Sequence, residues 1–216
     1  MIAAYRRLGR RLRGDTRGLA MIEFAMILPV LLILIMYMLE LANYALVRQQ
    51  VSQLALLVVD NGSRIGAQSV ARNKPITEGD INDVLTGAAL QAGGLDIGRR
   101  GRIILTSLEV NAAKTGQWLH WQRCTGALAH PSSYGSQGDG ATGSSVTGMG
   151  PPNGRVAAIT GVPAMFVEIG YRYRPLISAA WAPSSDIVET AAMLVRDDRD
   201  TSQVYPSIGE TASTCT

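Results

Sequence analysis

Residues Arg17 to Met38 read RGLAMIEFAMILPVLLILIMYM, and from Leu19 to Leu39 a single charge, Glu23, interrupts about twenty apolar positions. A helix of that length spans roughly 30 Å, the thickness of a bilayer's hydrocarbon core. No other feature of the chain restricts its folding as severely, because a segment this apolar must be buried in protein or placed in lipid. Glu23 is the anomaly within it. An ionised carboxylate in hydrocarbon costs about 2–3 kcal/mol or more, so it is found there with a partner or a use.

The charge distribution gives the segment an orientation. Arg6, Arg7, Arg10, Arg11, Arg13 and Arg17 against Asp15 put a charge of about +5 ahead of Gly18, out of a total of +3, so the remainder of the chain is slightly acidic. A basic segment followed by an apolar helix keeps its N-terminus cytoplasmic. The rest of the chain is then expected across the membrane, and no nucleic-acid partner is expected from basicity confined to a leader. The rival reading, a secretory signal peptide, fits poorly: its apolar core is about 7–15 residues with a small-residue exit, and no such exit precedes Glu40.

Further along, the hydrophobic period organises the chain into three parts: 1–18 as a basic leader, 19–72 as a membrane-spanning helix continued by an amphipathic one, and 73–216 as an α+β domain. Leu41, Tyr44, Ala45, Val51, Leu54, Ala55, Val58 and Val59 recur at spacings of three and four, predicting one helix that runs on to about Ala71. Glu40 is expected at the far membrane interface. Pro29 is expected to kink the helix, since neighbouring groups in a bilayer can absorb its missing hydrogen bond. Pro75 predicts a turn over Arg72–Ile76, and Thr77 predicts the cap of a second helix from Glu78 to Ala92, burying Ile81, Val84, Leu85, Ala88 and Ala89.

Beyond Gly101 the period changes to two. Ile104, Thr106, Leu108 and Val110 predict one face of a strand, with residues 117–123 as its partner. On simple alternation Trp118 and Trp121 point to opposite faces. Met165 to Arg174 and Ile187 to Val195 predict two more strands. Residues 125–155, rich in Gly and Ser, read as a long mobile excursion too poor in apolar residues to be buried. Cys124 and Cys215 lie beyond the membrane segment, where oxidation is permitted, and a disulfide between them is expected; closing a loop of that length contributes roughly 4 kcal/mol in the chain-entropy model. His120 and His130 form no metal-ligand pair with these cysteines at a recognised spacing, and no nucleophile–base motif or phosphate-binding loop is present. No catalytic residue, metal or cofactor is therefore expected.

A basic leader, Gly18, four residues, then Glu23-Phe24 and an apolar run containing Pro29, with Glu40 near its end, resembles the N-terminus of type IV prepilins, and more specifically the TadE-like minor pseudopilins of the tight-adherence (Tad/Flp) pilus. The resemblance covers about Gly18 to Gly66, with a short echo at Tyr171-Arg172-Tyr173-Arg174-Pro175; Leu19 and Met21 are bulkier than the small residues often found after the glycine. It implies cleavage between Gly18 and Leu19 by a prepilin peptidase, pairing of Glu23 beside Phe24 with a Leu19 amine, and single-pass residence in the inner membrane with a periplasmic domain and later a place in the extracellular pilus. The implied partners are other major and minor pilin subunits, the inner-membrane assembly platform and the lipid bilayer. An uncleaved signal-anchor protein with a periplasmic binding or scaffolding domain is the alternative.

Overall fold

The computed structural model describes residues 17–66, 73–196 and 198–215. The leader, apart from its last two residues, and the stretch expected to carry the first helix to Ala71 lie outside them. Helix α1 spans Arg17–Ser63 without interruption, with Pro29 inside it. It contributes to two compact units. The first comprises the helix up to Asn43 together with Pro175–Ala182; the second comprises Tyr44–Arg174 and Pro183–Thr216.

In the first unit the side chains from Leu19 to Leu39 are all exposed. No described residue covers them, as expected of a surface made for lipid rather than for a core. Among the described residues α1 is the one helix long and apolar enough to cross a membrane.

In the second unit the period of α1 becomes structural. Val51, Leu54, Ala55, Val58 and Val59 are buried, each burial worth about 1.5–3 kcal/mol for the larger side chains. They cover one face of a four-stranded antiparallel sheet ordered β3–β2–β4–β5, with β2 at Gly101–Val110, β3 at Gln117–Thr125, β4 at Ala164–Arg172 and β5 at Asp186–Leu194. Gly62 lies against the sheet: a Cβ there would lie 3.2 Å from a methyl of Leu105 on β2. The helix stops at Ser63, short of the expected Ala71. Arg199 donates to the carbonyls of Gly62, Ser63 and Ile65 at 3.2, 2.8 and 2.9 Å, and Gly66 turns the chain with a φ of 76°. A cation on the last carbonyls of a helix satisfies groups with no partner of their own and opposes the negative end of the dipole.

Helix α2, Glu78–Gln91, starts as its sequence requires. Thr77 accepts the N–H of Asp80 while the Asp80 carboxylate accepts the N–H of Thr77, a reciprocal cap. Ile81, Leu85 and Ala88 are buried, but Val84 is half-buried and Ala89 exposed, so the buried stripe is narrower than expected. A 3₁₀ turn at Gly93–Leu95 and the short helix α3, Ile97–Arg100, lead into β2.

Three expectations are corrected. Pro75 lies not in a turn but in strand β1, Lys74–Thr77, which pairs in parallel with β6, Arg199–Tyr205; a two-stranded sheet leaves each strand an edge, where proline's missing donor is tolerated. Trp118 and Trp121 share a face, because the register shifts between Ser107 and Leu108, pairing Trp121 with Ser107 and Trp118 with Glu109. One extra residue in a strand reverses the alternation beyond it.

The third correction concerns residues 125–155, which form the cover of the sheet's second face rather than an unpacked excursion. Met149 is buried with Leu108, Leu119, Ala164 and Phe166, and Tyr134 packs edge-on against Phe166 at 5.1 Å. The rest of the attachment is hydrogen bonding, from backbone and side chains alike. Leu119 donates to the Asp139 carbonyl at 2.9 Å and accepts from Gly138 at 2.7 Å, Gln117 donates to Val146, and Asn111 Nδ2 donates to the carbonyls of Gly140 and Gly143. The loop thus pairs with the free edge of β3, a contribution that composition does not reveal. The disulfide Cys124–Cys215 holds the C-terminal tail on that same strand, and Cys124 donates to the Ser213 carbonyl at 2.7 Å.

Candidate functional site

The residues that carry the processing expectation lie on the first turns of α1. Gly18 and Leu19 follow its first residue, Arg17, and both are exposed; a Cβ on Gly18 would meet nothing within 4 Å. Glu23 and Phe24 are exposed about one turn further on, with Pro29 beyond them in the bare apolar stretch. The whole candidate segment is exposed among the described residues.

Glu40 ends that stretch in a way the sequence does not disclose. It is fully buried within the first unit, and its carboxylate accepts the backbone N–H groups of Leu176 at 3.2 Å, Ile177 at 2.7 Å and Ser178 at 3.4 Å. The carboxylate thereby gives all three N–H groups an acceptor. Its position at the end of the apolar run was legible; its burial, which depends on partners 136 to 138 residues away, was not.

The echo segment leads to the same place. Tyr171 and Tyr173 are buried, Tyr173 meeting the ring of Tyr44 on α1 edge-on at 5.1 Å, and Pro175 then begins the loop that holds Glu40. Burial raises the Tyr171 phenol above its ordinary pKa, which keeps it neutral at physiological pH. Two features that resemble the family at the sequence level, the helix and the tyrosine strand, thus meet through Tyr44 and Tyr173.

The histidines occupy distinct settings. His120 Nδ1 is 3.0 Å from Glu109, and its ring stacks on Trp118 at 3.8 Å. His130 Nε2 is 3.2 Å from Glu168, a buried carboxylate on β4 that also accepts from the hydroxyls of Ser132 and Ser133 and from the Ser133 N–H. Both serine hydroxyls donate to the carboxylate, an arrangement that fastens a loop to a strand. Beside it is an open cleft of about 420 Å³ lined by Arg102, His130, Ser132 and the Cys124–Cys215 bridge. Asp139 accepts from the Ser136 N–H at 2.8 Å in a turn. Among the described residues no three His, Cys, Asp or Glu side chains converge as a metal site would require.

Residues 18–59 match the family model described as TadE-like protein. The match begins at Gly18, runs through Glu23, Pro29, Glu40 and Tyr44, and ends on the helix at Val59, four residues before α1 does. No curated protein and no solved structure matches the chain.

Proposed function

We propose, for a chain whose N-terminal helix is that of a TadE-like protein, that it serves as a minor pilin-like subunit of a Tad/Flp-type pilus. In this reading the arginine-rich leader holds the N-terminus in the cytoplasm, a prepilin peptidase cuts after Gly18, and the sheet domain faces the periplasm. The observation that carries the reading is the coincidence of the family match with α1: Gly18, Leu19 and Glu23 are exposed on a helix whose apolar surface no described residue covers.

The chemistry of each residue follows. Cleavage converts Leu19 into a free amine close to the Glu23 carboxylate, and an ammonium partner removes much of the cost of holding that carboxylate in lipid or among packed helices. Helix packing with major and minor pilin subunits then supplies the assembly contacts, with the membrane platform handing the subunit to the filament. The role is structural, and adherence to a surface belongs to the assembled pilus.

The test is incorporation. In cells producing the pilus, the chain is expected in sheared filaments or in the assembly-competent membrane fraction, and Glu23→Ala is expected to leave cleavage intact while depleting the chain from the filament fraction several-fold. If deletion of the gene leaves piliation unchanged, the pilus role is lost, and a retained anchor with a binding or scaffolding domain becomes the account.

A further inference from the structure

Pro175–Ala182 reads PLISAAWA, eight residues without a charge, and it belongs to the same compact unit as the apolar half of α1. Leu176 is largely exposed, at 66%, and Trp181 is half-buried. An apolar, tryptophan-bearing loop with Leu176 exposed, in the same unit as a bare apolar helix, calls for an account of what it touches.

The backbone of the loop is unusually self-sufficient. Leu176, Ile177 and Ser178 donate to Glu40, Ala180 donates to Ser178 Oγ at 3.3 Å, and Trp181 donates to the Ser178 carbonyl at 3.1 Å. Irregular backbone is tolerated at membrane depth only where its polar groups are satisfied within the protein.

We infer that Pro175–Ala182 is a second membrane contact, a loop seated in the outer interfacial layer of the bilayer at the point where α1 leaves it, with Leu176 directed to the acyl chains and Trp181 at headgroup level. Tryptophan favours that layer because its ring is apolar and its N–H polar. Glu40 is the latch: its carboxylate organises the loop, and the loop hides its charge from lipid. The inference rests on the reading of α1 as a membrane-spanning helix, and applies to the subunit while it resides in the bilayer.

The experiment is fluorescence quenching of the full chain reconstituted into vesicles of phosphatidylethanolamine and phosphatidylglycerol, with a lipid brominated near the headgroup end of its acyl chain. The wild-type protein is expected to lose emission to this lipid, and Trp181→Phe to lose most of that quenching, since Trp118 and Trp121 lie on the sheet. Equal quenching of wild type and Trp181→Phe, or none in either, overturns the inference. In the Trp181→Phe background, Leu32→Trp reports the helix itself through a lipid brominated deep in the chain. If Leu32→Trp is quenched and Trp181 is not, the loop fails and the spanning helix stands; if Leu32→Trp is unquenched, the membrane reading fails and the loop's seat with it.

Discussion

Glu40 Oε2 accepts the backbone N–H of Ile177 at 2.7 Å, joining a membrane helix to a loop 137 residues later in the chain. Leu176 and Ser178 donate to the same carboxylate, so Glu40→Ala strips an acceptor from three buried or half-buried donors. An unsatisfied donor costs about 1–3 kcal/mol. Amide exchange at residues 176–178 is therefore expected to accelerate at least tenfold in Glu40→Ala, and by less in Glu40→Gln, which keeps one acceptor oxygen. Hydrogen exchange with site resolution measures this, and unchanged protection in Glu40→Ala would remove Glu40 as the latch.

Arg123 and Glu78 form a two-pronged buried pair, at 2.8 and 2.5 Å, next to the disulfide at Cys124. It ties the start of α2 to β3. Removing one partner strands the other charge, at a cost of about 3–5 kcal/mol, whereas removing both costs far less than twice that. Denaturant unfolding of Glu78→Gln, Arg123→Met and the double variant in detergent is expected to show strong non-additivity. Simple additivity would mean the two charges act independently.

Asp200 on β6 accepts from the Tyr205 hydroxyl at 2.6 Å and from the Ser202 N–H at 2.9 Å, and these bonds hold its carboxyl below the ordinary 3.8. A depressed folded-state value means the carboxylate favours folding above the unfolded-state value, and that contribution disappears as pH falls through the folded-state one. The window lies in acid, below about pH 4. Tyr205→Phe is expected to move Asp200 upward toward 3.8, read as a carboxyl-carbon NMR titration. A titration curve that does not move would assign the shift to Ser202 alone.

How much of this was legible depends on the distance over which each residue finds its partner. The apolar run of α1, the Thr77–Asp80 cap and the alternation of β4 are written in neighbouring residues, and the corresponding elements formed where expected. The disulfide was expected because only two cysteines exist and both lie in one compartment. Strand β1 was misread because its partner β6 is more than a hundred residues away, and Pro75 taken locally signals a turn. The tryptophan faces were misjudged because a bulge leaves no trace in hydrophobic alternation. The cover over the second sheet face escaped because its attachment is largely hydrogen bonding, from its backbone to β3 and from Ser132 and Ser133 to Glu168 on β4, with Met149 as the one fully buried apolar anchor of residues 125–155. Within the candidate site, Gly18, Leu19, Glu23 and Pro29 were singled out by the family resemblance, whereas the burial of Glu40 became visible only with the fold.

The most direct test of the pilin-like reading is the mature N-terminus, by intact mass and terminal sequencing of membrane-extracted protein made with and without a prepilin peptidase. The account predicts a peptidase-dependent start at Leu19, abolished by Gly18→Trp. A chain that keeps its leader arginines under both conditions would contradict it.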